Sequence, residues 1–453
     1  MLDGTTLRIH WTTLRSLAIV WAWTWLICGH VSAGTVTVIT SFPKELTQAY
    51  KQAFEKVNPS IKLEILNKNT VQGMAYVREM PLGQRPDIFW ASAPDAFEVM
   101  AGQKLLENIA DLSNKATPAK VGNYPINNPQ GFYLGQALAG YGMMVNTRYM
   151  AAHQLPQPKQ WADLAKPVYF GHVAMSSPSR SGTTHLTVET LLQGEGWDKG
   201  WTQILQIASN CAAITERSFG VPDGVNNGQF GIGLVIDFFG LAGKYSGFPV
   251  EFTYPDVTAV VPANIALITG SKNPAEAKKF IAYSVSLEGQ QLLYDTKISR
   301  LPILPPAAMG GKTPVGYPNP FEIAKRAKVQ FDSDLSESRY TVVSSMFDQV
   351  ITFRIKELQA AGKAILAADA VLAKKPNAKG SALLKEAKEA AFSSVVNMQK
   401  AADKDFLALF SANKKEASIN KQVTALEDYW SSSAKANYAR AVNLADQALA
   451  TAR

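Results

Sequence analysis

The chain has 453 residues, 47% of them apolar and 18% charged, with 31 glycines, 24 prolines and two cysteines. This composition excludes a disordered or low-complexity polymer, a collagen-like chain and a disulfide-stapled miniature. The length allows roughly two to four domains, each able to bury its own core, and the formal charge of +8 raises the question of an anionic partner.

Residues 1–33 read as an export signal. Arg8 and Arg15 give a basic start, Leu17 to Cys28 an apolar run, and Val31-Ser32-Ala33 the small residues that a signal peptidase reads. The run is shorter than the roughly 20 residues of a membrane-spanning helix. Ile27 stands where a lipoprotein signal ending at Cys28 needs a small residue. Cleavage leaves 43 basic and 36 acidic side chains. The excess is spread without a dense Lys/Arg block or interleaved aromatics, so no nucleic-acid partner is expected and a small anion stays open. Cys211 is then the single remaining cysteine, which reads as a buried apolar filler. The remaining histidines, His153, His172 and His185, lack zinc spacing, and no metal or cofactor is expected.

From residue 34 to about 320, strands alternate with helices, an α/β pattern. Thr35–Thr40 is β-rich and leads through Ser41-Phe42-Pro43 into a helical period at Leu46, Tyr50, Phe54 and Val57. Lys62–Leu66 is a second strand. Asp87–Ala91 is a third, running through Ser92-Ala93-Pro94 into a helix at Phe97, Val99 and Met100. The same grammar resumes after Tyr141–Asn146. Strand His172–Met175 enters a Ser/Thr-rich turn, Gly231–Ile236 ends at Asp237, Val257–Ile268 is extended, and Asn273-Pro274 opens a helix. Two α/β lobes fit this order. In open α/β sheets ligands gather at the carboxyl ends of strands, where free helix N–H groups point.

Composition changes near residue 320: 29 of the glycines and 23 of the prolines lie before it. The remainder, rich in Ala, Lys, Glu and Leu, predicts three or four amphipathic helices, with an entrance at Phe331–Asp334 and a break at Pro376–Gly380. They would pack as a hairpin or bundle, or against the lobes.

The turn Ser177–Thr184 is the most informative stretch. Hydroxyls of Ser177, Ser179, Ser181, Thr183 and Thr184 crowd a glycine-containing helix start whose dipole and N–H groups attract an anion, phosphate above all. One hydroxyl could instead be an N-cap, which would leave the other four unexplained. Asp237 could hold a ligand hydroxyl or ammonium, or cap a helix beginning at Phe238. Arg217, Arg300 and Tyr254 stand beside strand ends and could add charge or hydrogen bonds, or be surface or hinge residues. Ser179-Arg180-Ser181-Gly182 lacks the leading glycine of a nucleophile elbow, and Pro306 replaces the first glycine of a phosphate loop at Gly310–Thr313. No enzyme is expected; a hydrolase using Ser181 is the rival reading of that class.

The pattern resembles the substrate-binding proteins of bacterial ABC importers. The likeness is carried by Ser41 after the first strand, Ser92-Ala93-Pro94 after the third, the Ser181-Gly182-Thr183-Thr184 turn and the Asn273–Gln291 helix. It is similar to the branch of ferric-iron, hexose-phosphate, aminoethylphosphonate and phosphoglycerate binders. With the tail around Ser336–Tyr340 and Phe347–Gln349, the likeness is strongest to phosphoglycerate transport regulatory proteins. The resemblance implies a two-lobed periplasmic-binding-protein fold of type II with a C-terminal all-helical extension. Lobe one would be 34–140 with 257–320, lobe two 141–256, and the extension 321–453. It implies ligand contacts from Ser41, Ser92, Ser181, Gly182, Thr183 and Thr184, with Asp237 adding specificity, and closure around a small anionic solute in the periplasm. The partners would be an ABC permease or a membrane sensor kinase. Iron-binding members have adjacent tyrosines where this chain has Asp237-Phe238-Phe239, and phenylalanine offers iron no oxygen. An iron binder and a tail-mediated interaction protein stay as alternatives.

Overall fold

A computed structural model of the chain describes Met1, residues 34–411 and residues 417–452. The export signal expected over 1–33 lies, Met1 apart, outside the described residues. The β-branched run Gly34–Thr40 forms β1, which pairs in parallel with β2 (Ile61–Asn67) on one side and β3 (Ile88–Ala91) on the other. All four β3 residues are buried, as befits a strand covered on both faces. Between these strands run α1 (Lys44–Val57), whose Leu46, Tyr50 and Phe54 form one buried stripe, and α2 (Thr70–Glu79), capped by the Asn69 side chain. Helix α3 (Pro94–Gly102) follows β3 with proline at its first turn.

After a small hairpin, β4 (Lys120–Val121) and β5 (Tyr124–Pro125), comes the 13-residue strand β6 (Leu134–Asn146), buried throughout. Its early part pairs antiparallel with β11 (Val260–Leu267), and Tyr141–Val145 pair antiparallel with β9 (Ile232–Ile236). The remaining strands, β7 (Val173–Ser176) and β8 (Cys211–Thr215), continue in parallel from β9, while β10 (Val250–Thr253) lies antiparallel on the end of β6. The sheet order is β2-β1-β3-β11-β6-β9-β7-β8. One strand thus belongs to both lobes. At the crossing, a Cβ on Gly142 would run into the Thr253 carbonyl, so a glycine is needed for β6 and β10 to approach there.

The second lobe carries α4 (Thr147–Ala152), α5 (Gly182–Glu195), α6 (Trp197–Ser209), α7 (Gly220–Asn226) and α8 (Asp237–Tyr245). Back on the first lobe lie α9 (Pro274–Val285) and α10 (Leu287–Gln291), followed by α11 (Pro320–Arg326). The tail holds α12 (Ser333–Val350), α13 (Ile355–Leu372), α14 (Ala378–Phe392), the short α15 (Met398–Ala401) and α16 (Lys404–Ser411), and the 34-residue α17 (Ala417–Ala450). The expected entrance is Asp332, whose side chain caps α12; the break falls at 373–377, earlier than the expected Pro376–Gly380, because Asn377 caps α14 and Ala378–Gly380 are already its first turn.

The tail is continuous with the second lobe. One hydrophobic cluster joins Met143, Val173, Trp201 and Ile204 to Met346, Phe347, Ile365 and Trp430. The Trp197 indole donates to the Val396 carbonyl at 2.7 Å, and Gln359 donates to the Cys211 carbonyl at 2.6 Å. The Cys211 thiol is buried, with its pKa driven up by that burial. Truncation before Ser333 is therefore expected to give insoluble protein. In the full chain, Trp430→Ala should cost about 3–5 kcal/mol, read from denaturant midpoints.

Candidate functional site

The carboxyl ends of β1 and β3 in the first lobe face those of β7 and β9 in the second. Ser41 is half-buried after β1, and Ser92 is buried after β3. Opposite them, Ser181 is the N-cap of α5, accepting from the Thr184 N–H at 3.1 Å. Gly182 donates from its backbone N–H to Thr70 Oγ1 across the lobes at 3.4 Å. A Cβ on Gly182 would come within 2.5 Å of the Ala93 methyl, so glycine allows the two loops to close up.

The hydroxyl-rich turn divides its roles. Ser177 Oγ donates to Asp348 of α12 at 2.7 Å and lies 2.8 Å from Ser179 Oγ, so these two serines serve the tail. Ser181 Oγ is spent on the cap. Gly182, Thr183 and Thr184 form the first turn of α5 behind it, Thr183 half-buried and Thr184 buried. Asp237 is the first residue of α8, following Ile236 as cap, rather than capping a helix that starts at Phe238. Its Oδ2 accepts from the Gly140 N–H at 2.7 Å and the Tyr254 hydroxyl at 2.9 Å, joining both crossing segments. Its Oδ1 has no partner among the described residues.

Arg300 is the residue with most to say about chemistry. It is fully buried, its guanidinium 4.4 Å from the Phe42 ring of one lobe and 4.5 Å from the Phe238 ring of the other. Nη2 donates to Ser92 Oγ at 2.7 Å, while Nε and Nη1 have no partner among the described residues. Nearby, the buried Tyr141 hydroxyl is likewise without one. Burial draws the guanidinium pKa down to about 10, opposed by the Asp237 charge, so it stays cationic at neutral pH. Burial also pushes Asp237 up to about 7, against its hydrogen bonds from Gly140 and Tyr254 and the attraction of Arg300. Native interiors seldom leave such groups unpaired, so this cluster suits a guest offering acceptors to Arg300 and a donor to Asp237.

Outside Phe238 opens an interlobe cavity of about 720 Å³, lined by Lys44, Leu46 and Asn67 on one side and Phe219, Phe238 and Phe239 on the other. Arg217 spans the lobes, donating to Asn67 Oδ1 at 2.9 Å. A second cavity, of about 590 Å³, lies among α6, α13 and α14, away from the strand ends. The nearby His185 turns Nε2 to Asp95 Oδ2 at 3.1 Å and to Ser336 Oγ at 3.3 Å.

Residues 83–329 match the family model described as bacterial extracellular solute-binding protein. The chain belongs to that family. It is 31% identical over 356 residues to the phosphoglycerate transport regulatory protein PgtC of Salmonella typhimurium, covering 77% of this chain and 84% of the relative. Among solved structures, it is similar in fold to the periplasmic binding protein AfuA of Actinobacillus pleuropneumoniae, solved with exogenous fructose-6-phosphate bound. The TM-score is 0.62 at 17% identity, over 71% of this chain and 99% of that one. Iron-bound HitA of Pseudomonas aeruginosa gives a TM-score of 0.55 at 16% identity, over 69% and 98%. These solved likenesses bear on the fold, which is the two-lobed one with added C-terminal helices.

Ser92, Gly182 and Asp237 lie at strand ends where the two lobes meet. Phe42 and Tyr141 carried no signal in the sequence, and Arg300 carried only its nearness to a strand end. Ser299, just before Arg300, is buried with φ 45°, a strained left-handed turn that aims the next side chain inward.

The raised pKa of Asp237 has a definite pH consequence. Between its ordinary value of 3.8 and about 7, the folded chain keeps a proton that the unfolded chain has lost. Its contribution to stability is full below that window and is lost as pH rises through 7, by at most roughly 4 kcal/mol. Asp237→Asn should abolish this part of the slope, measured as the difference from wild type in denaturation midpoints taken at about pH 4.5 and about pH 8.

Proposed function

We propose that this solute-binding protein captures a small phosphorylated or otherwise anionic organic solute, of the phosphoglycerate kind, between its lobes. The supporting observation is the buried Arg300 guanidinium with two unpartnered nitrogens, seated between aromatic rings from opposite lobes and tied to Ser92. Opening the lobes parts Phe42 from Phe238 and uncovers this cation. A phosphate or carboxylate then accepts from Nε and Nη1, a charge-assisted contact strengthened by the low dielectric of the closed site. Asp237 Oδ1 accepts from a hydroxyl or ammonium of the same molecule, and Ser41, Ser92 and the α5 start with Ser181, Gly182, Thr183 and Thr184 complete the rim. A ligand that touches both lobes favours the closed shape by its differential affinity for it.

The reading covers a protein exported to the periplasm, with lobes bounded near 140/141 and 256/257, whose closed form is recognised by an ABC permease or a membrane sensor kinase. The name of the Salmonella relative supports a phosphoglycerate, and the fructose-6-phosphate in the AfuA title supports a phosphorylated guest. Ferric iron fits the residues less well, since Phe238 and Phe239 supply it no oxygen. The shared core of tail and second lobe counts against a tail that works alone.

Calorimetry and thermal shift with 2- and 3-phosphoglycerate, fructose 6-phosphate, 2-aminoethylphosphonate, inorganic phosphate and ferric citrate test the proposal. At least one organic phosphate or phosphonate should raise the melting temperature, and Arg300→Gln should weaken its binding by roughly 10- to 100-fold. Stabilisation by ferric citrate alone would overturn it.

A further inference from the structure

Capture between the lobes, as just proposed, needs a device that sets how readily they part, and the tail reaches into that region. Asp95 lies in the first turn of α3, three residues after Ser92, and His185 lies in the first turn of α5, directly after Thr184. They come from opposite lobes, yet Asp95 Oδ2 and His185 Nε2 meet at 3.1 Å with neither side chain exposed. The third member is Ser336 of α12, also fully buried. It donates to Asp95 Oδ2 at 3.0 Å and lies 3.3 Å from His185 Nε2.

Helix α12 is itself fastened to the second lobe. One turn beyond Ser336, Arg339 clasps the buried Glu189 of α5 with contacts of 2.8 and 3.1 Å from Nε and 2.8 Å from Nη2, and its guanidinium lies over the Trp197 ring at 5.1 Å. Near the helix end Asp348 accepts from Ser177, and Val342, Met346 and Phe347 belong to the second-lobe core. Helix α12 is thus anchored to the second lobe by these contacts, and it also packs along α3 of the first, where Ser336 grips a carboxylate.

We infer that α12 is a closure latch: Ser336 completes a buried bridge between Asp95 and His185 that exists only when the two strand-end loops have come together. Parting the lobes breaks this contact and exchanges it for solvent, so the tail biases the protein toward the shape that holds solute by the net value of the bridge. Burial draws His185 down to about 3, which keeps it neutral, so the bridge carries a shared hydrogen bond and no cation.

The test needs no ligand. Spin labels on the full chain carrying Cys28→Ser, at Lys56→Cys in the first lobe and Asn227→Cys in the second, report the distance between exposed sites, and the native Cys211 is buried. Loss of the hydroxyl in Ser336→Ala should raise the ratio of open to closed protein by about three- to tenfold, the value of one buried hydrogen bond. Asp95→Asn should move it in the same direction, and the double variant by less than the product of the two. Ser338→Ala, an exposed serine on the same helix, should leave the distances unchanged. Should Ser336→Ala fail to fold, Asp95→Asn decides alone. Distance distributions identical to wild type, or fully multiplicative effects in the double variant, would overturn the latch. Because no solute is added, these outcomes are separate from success or failure of the phosphate panel.

Discussion

A guanidinium sealed from water is costly unless its hydrogens are accepted, and Arg300 meets that cost only in part. Two aromatic faces and one serine hold it, each ring from a different lobe. The arrangement ties together what would otherwise be separate facts. Ser92 is turned inward by it, Asp237 lies close enough to feel its charge, and Phe42 meets Phe238 edge to face at 6.3 Å. A positive charge at the junction of two lobes interacts with a counter-charge the more strongly the less water lies between them.

The C-terminal helices extend the same logic. A solute-binding protein needs two lobes and a crossing, and this chain adds a set of helices whose apolar faces finish the second lobe. Their first long helix also reaches the first lobe through Ser336. Buried polar contacts of this kind contribute modest net stability, but they distinguish sharply between arrangements that satisfy them and arrangements that do not. Placing such a contact next to the strand-end loops couples the state of the cleft to the position of the tail.

How much of this could be read in the sequence follows from which residues decide it. β1, β2 and β3 are legible because their β-branched and apolar runs answer to local periodicity. β8 and β10 are short and partly exposed, and their strand character comes from the neighbours they pair with. The serine-rich turn was legible as a place of interest, while the division of its hydroxyls was not. Ser177 finds its acceptor 171 positions away, and nothing near it signals Asp348. Arg300 was harder still. A basic residue in a loop reads as solvated, and its burial depends on rings and a hydroxyl contributed by three distant segments.

The shared core has a consequence for how the molecule is made. Ala445, Ala448 and Ala452 belong to the same cluster as Met143 and Trp201, and β6 pairs with β9, β10 and β11, which all follow it in the chain. The second lobe therefore cannot complete its interior while the ribosome still holds the last helix. Such dependence on distant segments slows the search for the native state. Until the tail has been made, the apolar residues of the second lobe that it covers lack their partners.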